Sequence, residues 1–483
     1  MTEPGLLWLW LALAHVAVVA AVALRVILTD HPSGSAFAWI LLVTVFPAVG
    51  VVAYVLIGER PIGRERQRRA RRFYAELPAR IARLLPGKVA QPESLGAPWS
   101  GLARLAQAAT GMPPIAGAAL ELLGGAESIL RAIIADIERA RESVDMAFYI
   151  WNAGGTADEV AEALGRAAAR GVRCRVLLDA LGAKPFLRSA GPARLRAAGV
   201  TVLAALEVKP WQIPFQRIDL RLHRKIVVVD RRAGYTGSMN LVDPRFFKQD
   251  AGVGEWVDAM VRIEGPAVLA LAATFEIDWG LQTGEPLPQD SATRYAAPAG
   301  AGACVQVVPS GPGVEEWANL RVLVQAIAGA RRRVVLTTPY FVADMALVLA
   351  LENAALAGVE VTLILPAKND SVLVRYASRR YFDRLVTAGV RILQFDAGLL
   401  HTKSVTIDEA LALFGTVNLD IRSMQLNFEL MLAVYDAGFA HELAALQQEY
   451  ARKSRPLDGA AWRARPLVER IKEGLAAVAA PLL

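Results

Sequence analysis

Two long runs of apolar residues open the chain, and polar residues become frequent only after them. Residues 6–28 are interrupted only by His15 and Arg25, and residues 36–57 contain no charged side chain. Each run is long enough to cross a bilayer as a helix. A signal peptide followed by an anchor is disfavoured, because no basic residues precede the first run. The pattern predicts two transmembrane helices within residues 1–58, at about 6–28 and 36–57.

A basic segment, Arg64 to Leu85, follows the second apolar run. Because positive charge next to a membrane span favours the cytoplasmic side, we expect the N-terminus and all residues after 58 to be cytoplasmic. The segment either docks on the globular body of the protein or binds anionic lipid headgroups, and its position beside a membrane span favours the lipids. We expect Pro78 to kink or divide the helix. Apolar residues recur in it at helical spacing, at Phe73, Leu77, Ile81 and Leu84.

From about residue 124 the pattern changes to short apolar strands that alternate with helices. The same order of elements occurs twice, and GVRCRVLLD at residues 171–179 matches GVEVTLILP at residues 358–366. A repeat of roughly 150–180 residues is too long for a solenoid module. It predicts an α/β fold with two pseudo-symmetric lobes, each a sheet flanked by helices, packed face to face.

The same pattern predicts the domain organisation of the whole chain. The parts are two transmembrane helices at 1–58, a basic helix and linker at 59–123, a first lobe at 124–283, a linker at 284–302, a second lobe at 303–455 and an amphipathic tail at 456–483. The tail either contacts the membrane or caps a lobe. Its apolar residues at helical spacing are Leu467, Val468, Ile471, Leu475 and Val478.

Composition agrees with a membrane portion joined to an intracellular globular part. Hydrophobic residues make up 54% of the chain, which is high for a soluble protein. Much of the net charge of +7 lies between Arg60 and Arg72, whereas a nucleic-acid-binding face spreads its basic residues more widely. Cys174 and Cys304 provide neither a disulfide framework nor a metal-binding spacing, which favours a reducing compartment.

One motif occurs in both halves of the repeat. RLHRKIVVVDRRAGYTGSMN at residues 221–240 and LLHTKSVTIDEALALFGTVN at residues 399–418 share His-x-Lys, four residues, Asp, and Gly-[Ser/Thr]-x-Asn at the same distance. A single His-x-Lys has no diagnostic value, but its duplication with matched downstream residues predicts a site with two-fold pseudo-symmetry. The paired positions are His223 and His401, Lys225 and Lys403, Asp230 and Asp408, Ser238 and Thr416, and Asn240 and Asn418.

Each copy of the motif gathers groups that suit a phosphate. Alternate residues of a strand share a face, so the histidine and lysine of each copy lie on the same side. Imidazole, ammonium, hydroxyl and carboxamide groups can hold phosphate oxygens. Two histidines on opposite sides of one phosphorus allow one to attack while the other protonates the leaving oxygen. Asp230 and Asp408 belong to the candidate catalytic set, but at strand ends we expect them to hold the motif's own turn.

The paired stretches resemble the HKD motifs of the phospholipase D superfamily, and the whole chain resembles the bacterial cardiolipin synthase family. The resemblance extends well beyond the histidines and is carried by long stretches. They are FPAVGVVAYVLIGERPIG, GSMNLVDPRFFKQDAGVGEWVDAMVRIEGPAV, LTTPYFVAD and HTKSVTIDEALALFGTVNLDIRSMQLNFEL.

The resemblance implies transphosphatidylation at the bacterial inner membrane without a metal or other cofactor. One histidine attacks phosphatidylglycerol to form a phosphatidyl-histidine, and the other protonates the departing glycerol and then activates a second phosphatidylglycerol. By the same resemblance His223 is the nucleophile and His401 the acid/base, although the symmetry of the sequence leaves this order open. Charge on the phosphoryl oxygens is expected to be neutralised by Lys225, Lys403, Asn240 and Asn418.

Two further acids follow the motifs at comparable distances, Asp258 in EWVDAM and Glu429 in NFEL. A catalytic imidazole needs an acceptor for its far nitrogen. Both acids resemble the orienting carboxylates of the family, and the alternative is that they are ordinary surface or strand-end acids.

Three other functions are compatible with part of this pattern. A phospholipase D-type phosphodiesterase shares every motif and differs in letting water complete the second step. A nuclease is disfavoured by the membrane segments and by acids near the motifs, so we expect no nucleic-acid partner. A catalytically silent scaffold fits poorly with two intact motifs. The expected partners are phospholipid substrates and the bilayer, and the sequence leaves a homo-oligomer open.

Overall fold

The computed structural model describes residues 3–29, 33–59, 62–208, 216–288, 302–313 and 317–478. The chain forms two compact units, one of Met1–Gln67 with Val208–Leu220 and one of Arg68–Glu207 with Arg221–Leu483. Most of the predicted linker at 284–302 and the last five residues of the tail lie outside the described residues.

The first unit contains the apolar helices. Helix α1 (Glu3–Leu28) covers the first predicted span, and among the described residues it is the one helix long and apolar enough to cross a membrane. The second predicted span is not one helix, because α2 (Ser33–Val45) ends before Pro47 and α3 (Pro47–Ala53) continues into a π-helical turn. Phe46 leaves the helical conformation at φ −129°, and the proline supplies no N–H to bridge the break.

The second unit holds the remaining elements, except for the start of α4, which begins at Arg64. The helices are α4 (Arg64–Leu84), α5 (Trp99–Thr110), α6 (Ala126–Arg139), α7 (Thr156–Ala169), α8 (Lys184–Leu187), α9 (Gly191–Ala197), α10 (Val268–Thr283), α11 (Ala318–Ala328), α12 (Met345–Leu356), α13 (Val372–Arg379), α14 (Phe382–Thr387), α15 (Ile421–Gln425), α16 (Ala437–Arg452), α17 (Gly459–Arg463) and α18 (Leu467–Val478).

The strands of this unit are mostly short and buried. They are β1 (Ile115–Gly124), β2 (Ser143–Phe148), β3 (Arg173–Asp179), β4 (Thr201–Ala205), β5 (Ile226–Val229), β6 (Ala233–Gly237), β7 (Trp256–Val257), β8 (Ala259–Glu264), β9 (Ala303–Ser310), β10 (Arg333–Thr337), β11 (Phe341–Val342), β12 (Glu360–Pro366), β13 (Arg391–Phe395), β14 (Leu399–Leu400), β15 (Ser404–Ile407), β16 (Leu411–Gly415), β17 (Leu419–Asp420), β18 (Glu429–Tyr435) and β19 (Ser454–Pro456).

Fifteen strands form one sheet whose order is symmetric about its centre. The order is β19-β13-β12-β10-β15-β16-β18-β9-β1-β8-β6-β5-β2-β3-β4. Outward from the β9–β1 pair, every strand of one half has a counterpart in the other except the edge strand β19. The parallel run β2-β3-β4 matches β10-β12-β13, and the antiparallel pair β2/β5 matches β10/β15. The two predicted pseudo-symmetric α/β lobes are therefore confirmed.

The lobes are joined edge to edge in one sheet, which differs from the face-to-face packing predicted. Strand β1 pairs with β8 of the first lobe and, antiparallel, with β9 of the second, which makes the sheet continuous. The segment predicted as a linker before residue 124 thus contains α5 and a central strand. Two shorter connections cross between the lobes, where β7 pairs with β14 and Leu222 bridges to Phe428.

Helix α4 docks on the body of the second unit. Leu77, Ile81 and Leu85 are fully buried, and Arg80 donates a 2.7 Å hydrogen bond to Glu276 of α10. The apolar face of this helix therefore packs on protein, as the docking alternative predicted, and binding of its exposed arginines to anionic lipid headgroups stays a prediction. The helix also continues through Pro78 without being divided.

The tail packs on the second lobe through α18, which contacts α13. Ala476 joins a small cluster with Val342 and Ala377. Arg465 of the tail donates 2.9 Å hydrogen bonds to Asp383 of the lobe and to Glu473 of the tail itself. The tail therefore caps the lobe, one of the two predicted alternatives.

Candidate active site

Each motif forms a two-stranded hairpin, β5/β6 in the first lobe and β15/β16 in the second. The histidine and lysine lie just before the first strand of the hairpin, and both pairs are buried. A glycine is required before Ser238 and before Thr416, because the backbone of a neighbouring strand lies very close to it. A Cβ on Gly237 would clash with the Ala259 backbone, and one on Gly415 with the Leu430 backbone.

The motif aspartates bind backbone groups at the turn. Asp230 and Asp408 both have positive φ, 51° and 54°. Asp230 accepts hydrogen bonds of 2.7–2.9 Å from the backbone N–H groups of residues 141–143, and Asp408 accepts bonds of 2.8 Å from those of residues 331–333. These contacts fix the start of β2 and β10 and support a structural role for both aspartates.

The orienting carboxylates cross between the lobes. Glu429 of the second lobe lies 2.8 Å from Nδ1 of His223, and Asp258 of the first lobe lies 2.7 Å from Nδ1 of His401. Backbone hydrogen bonds also join each histidine to the opposite lobe. The His223 N–H donates to the Phe428 carbonyl and the His401 N–H to the Val257 carbonyl, both at 2.9 Å. Each histidine is thus held by the lobe that does not contain it.

Ser238 and Thr416, which the sequence predicted to bind phosphate, contact these carboxylates. The Ser238 hydroxyl donates to Asp258 and the Thr416 hydroxyl to Glu429, both at 2.5 Å. Each also accepts from the backbone N–H beside its carboxylate, at 3.0 and 2.9 Å. A hydroxyl has one proton to donate, so these contacts support carboxylate positioning, and phosphate binding by Ser238 and Thr416 stays a prediction.

Burial sets the protonation of the four motif bases. It lowers the pKa of His223 and His401 to about 4, against the opposing effect of the carboxylates. Burial is the largest single effect and raises the pKa of the carboxylates, but the facing histidine, the motif lysine and the bound hydroxyl together outweigh it and keep the pKa of Asp258 and Glu429 below the usual value. A neutral imidazole that donates Nδ1–H to a carboxylate presents the lone pair of Nε2, which is the form needed for attack.

The lysines lie close to the histidines that precede them. Lys225 Nζ donates to the His223 carbonyl at 2.7 Å, and Lys403 Nζ donates to the His401 carbonyl at 2.6 Å. Burial lowers the pKa of both ammonium groups to about 7. Both groups therefore change charge readily when an anion enters the site.

The two asparagines are buried with the lysines, and their contacts differ. Asn240 Oδ1 accepts a 3.2 Å hydrogen bond from the Ile150 N–H. Asn418 Oδ1 is buried and has no hydrogen-bond partner among the described residues. The asymmetry concerns the acceptor oxygen alone, so it leaves Asn418 with an unused acceptor that suits a hydroxyl rather than a phosphate oxygen.

Sequence reasoning missed three residues of the site. Tyr149 contacts the His223 ring at 5.0 Å and Trp256 contacts the His401 ring at 4.2 Å, so each imidazole lies against an aromatic ring. Arg224, between the histidine and lysine of the first motif, is fully buried and donates to Asp278 at 2.5 Å and to the Glu429 carbonyl at 2.9 Å. The position of Trp256, two residues before Asp258, is the one sequence signal that could have indicated its place in the site.

Comparison with known proteins identifies the family. A family model described as a cardiolipin synthase, PLD-like domain matches residues 133–279 and 323–450, and one described as the phospholipase D-nuclease N-terminal region matches residues 18–59. A cardiolipin synthase A of Yersinia pseudotuberculosis serotype O:1b (strain IP 31758) is 43% identical over 477 residues, which cover 98% of each chain. This chain belongs to the cardiolipin synthase family. A cardiolipin synthase A of Citrobacter koseri shows the same identity and coverage.

A solved structure shows that the fold of this cardiolipin synthase family member is shared more widely. The phosphatidylserine synthase of Haemophilus influenzae Rd KW20 aligns with a TM-score of 0.58 at 15% identity. The alignment covers 79% of this chain and 100% of that chain. At this identity the likeness concerns the fold alone.

Proposed function

We propose that this protein is a membrane-associated cardiolipin synthase that transfers the phosphatidyl group of one phosphatidylglycerol to the headgroup hydroxyl of another and releases glycerol. One observation carries the proposal. Both motif histidines lie in one buried site, and each is held through Nδ1 by a carboxylate from the opposite lobe. The identity of 43% to a curated cardiolipin synthase over nearly the whole chain supports the choice of reaction.

In the first step, Nε2 of His223 attacks the phosphorus and the bond from phosphorus to the glycerol oxygen breaks. The departing oxygen takes a proton from the imidazolium form of His401, and a phosphatidyl-histidine remains. Because burial keeps the pKa of His401 at about 4, this proton is gained together with the anionic phosphodiester, whose charge raises that pKa. The choice of His223 as the nucleophile rests on the family resemblance, because the contacts of the two histidines match.

In the second step, neutral His401 accepts the proton of the headgroup hydroxyl of the second phosphatidylglycerol. The oxygen of that hydroxyl attacks phosphorus while the Nε2–phosphorus bond breaks, so cardiolipin forms and His401 again carries its proton. Burial of both imidazoles limits the access of water, which would otherwise hydrolyse the intermediate to phosphatidic acid.

The lysines and asparagines stabilise the phosphoryl oxygens as charge develops on them. Each ammonium group donates one hydrogen bond to its neighbouring carbonyl and keeps two further donors for the substrate. An anionic phosphodiester favours the charged form of Lys225 and Lys403 over the neutral form that burial promotes. The carboxamides of Asn240 and Asn418 add neutral donors.

We further propose a multi-pass protein of the bacterial inner membrane with its catalytic unit on the cytoplasmic side. Support comes from α1, which is long enough to span a bilayer, and from the family match over residues 18–59. Helices α2 and α3 together provide the second crossing. The arginine cluster at the start of α4 favours the cytoplasmic side.

The test uses the purified protein in detergent with phosphatidylglycerol as the sole lipid. We expect cardiolipin and free glycerol in equal amounts, and we expect His223→Ala and His401→Ala each to abolish their formation. His441→Ala is the matched control, because His441 is exposed and lies outside the site. Phosphatidic acid as the main product would instead establish a phosphodiesterase, and activity in either motif variant would disprove the two-histidine mechanism.

A further inference from the structure

Helix α18 docks on its lobe with the opposite face from the one expected of an amphipathic helix. The residues that α18 buries are Ala476, which packs with Val342 and Ala377 of the lobe, and Glu473, which binds Arg465 within the tail. Its large apolar residues point away, and Leu467, Leu475 and Val478 are 67%, 68% and 82% exposed. An ordinary docking helix buries its large apolar residues, so the exposed stripe requires another explanation.

The exposed stripe lies on one face of the helix. Val468 and Ile471 are also exposed, and together with Leu467, Leu475 and Val478 they recur at helical spacing. Helix α13, which packs against α18, adds Val372 at 69% exposure and Leu373 at 41%. We call the exposed apolar residues of these two helices the α13–α18 surface. Scattered exposed leucines are common in proteins, but a stripe of this kind marks an interaction surface.

The charges around this surface are mostly positive. Arg375 and Arg379 of α13 and Lys472 of α18 surround the ring of Tyr376, at 5.6, 5.6 and 5.7 Å from its centre. The nearby acid Glu469 is already paired with Lys472 at 2.8 Å. A helix face with large apolar residues beside arginine and lysine is the pattern of a helix that lies in the interface of an anionic membrane.

The α13–α18 surface also adjoins the histidine site. Asp370, two residues before α13, accepts a 2.8 Å hydrogen bond from Lys248 and a 2.9 Å bond from the Tyr340 hydroxyl. Lys248 lies 5.3 Å from the ring of Trp256, which contacts His401. The start of α13 therefore leads, through this chain of contacts, to the second motif.

We propose that the α13–α18 surface is a membrane-contact site of the catalytic unit, separate from the N-terminal apolar helices, and that it binds a bilayer containing anionic phospholipid. The apolar stripe enters the region between headgroups and acyl chains, about 5–10 Å deep. The cationic side chains meet the anionic headgroups. This contact places the bilayer on the part of the lobe from which Asp370, Lys248 and Trp256 lead to His401, and it holds whichever reaction the site performs.

The test measures contact with lipid directly in the full chain. A background with Cys174→Ala and Cys304→Ala receives Ile471→Cys or Leu475→Cys, and the cysteine is labelled with an NBD fluorophore after reconstitution into vesicles of phosphatidylcholine and phosphatidylglycerol. The matched control is Leu356→Cys at the end of α12, because Leu356 is also apolar and 73% exposed. We expect quenching by phospholipids brominated on their acyl chains to be roughly two-fold or more greater at residues 471 and 475 than at 356.

Vesicles of phosphatidylcholine alone should reduce that difference, because the cationic residues then lack their anionic partners. Equal quenching at residues 471, 475 and 356 would overturn the proposal. Disulfide cross-linking between chains through Cys introduced at 471, without quenching by lipid, would overturn it in favour of a second copy as the occupant. Every labelled position is exposed, so the labelled variants should fold and the comparison between positions stays informative. The measurement does not require phosphatidyltransfer activity.

Discussion

Glu429 and Asp258 give each catalytic imidazole an anionic acceptor that water does not compete for, because both carboxylates are buried. When an imidazole becomes positively charged during proton transfer, the facing carboxylate stabilises it. The Ser238 and Thr416 hydroxyls keep each carboxylate in place, so the orientation of each histidine depends on a chain of three side chains. At the residue scale, the proposed mechanism makes this chain responsible for how well an imidazole can attack or transfer a proton.

Replacing either carboxylate by its amide should test that chain. We expect Glu429→Gln and Asp258→Asn each to lower kcat by about 10²–10⁴-fold, since the amide keeps the volume but loses the charge that stabilises the imidazolium. KM for phosphatidylglycerol should change much less. Glu442→Gln, an exposed acid of α16, is the control. A change confined to KM would show that the carboxylates bind substrate instead.

The buried lysines should impose a dependence of stability on pH. Their pKa of about 7 lies below the value of 10.5 in the unfolded chain, so between these values the unfolded state binds more protons and stability rises with pH. Lys225→Met removes this contribution. We therefore expect the Tm of the variant minus that of the parent to be largest near pH 7 and to fall as pH rises towards 10. A difference that is constant with pH would show that Lys225 is charged throughout.

At the element scale, periodicity predicted which residues form helix α4 but not what its apolar face contacts. Leu77 and Ile81 at helical spacing require a partner, and both a membrane and a protein surface satisfy that requirement. Strand β1 escaped prediction because its sequence, IAGAALELLG, is rich in small residues and lacks the alternation of a half-buried strand. The break between α2 and α3 was readable from Pro47, which interrupts an otherwise uniform apolar run.

The docking of α4 predicts an effect on stability. Leu77→Ala leaves a cavity against the second unit and should cost about 2–5 kcal/mol of unfolding free energy. The variant should show a lower Tm in detergent, with little change in binding to vesicles. Arg71→Ala, on the exposed face of the same helix, is the control. If Leu77→Ala weakened vesicle binding and left Tm unchanged, α4 would be an interfacial helix after all.

At the scale of the whole molecule, duplication of the motif predicted the two-fold pseudo-symmetry, and the strand order confirms it. The sequence could not show that Glu429 serves His223 and Asp258 serves His401. Each acid follows a motif at a similar distance, so equal spacing fits pairing within a lobe as well as pairing between lobes. That choice depends on how β7 meets β14 and how Leu222 meets Phe428, which are contacts between residues far apart in the chain.

The continuous sheet predicts that the lobes stay together without a covalent link. A protease site inserted into the predicted linker at 284–302 should allow the folded protein to be cut into two fragments. We expect the fragments to co-elute in gel filtration and to retain phosphatidyltransfer, because β1 and β9 remain hydrogen-bonded. An uncut sample treated in the same way is the control. Separation of the fragments with loss of activity would mean that the linker itself holds the site together.

The exchange of carboxylates between lobes has a further consequence for how such a site can originate. A lobe on its own would present a histidine without an acceptor, and it would complete the site only by pairing with a second copy. Fusing two copies in one chain replaces an encounter that depends on concentration with a fixed local concentration of the missing half. The two halves are then free to diverge, as Asp258 and Glu429 already do, provided that each keeps an acid for the histidine of its neighbour.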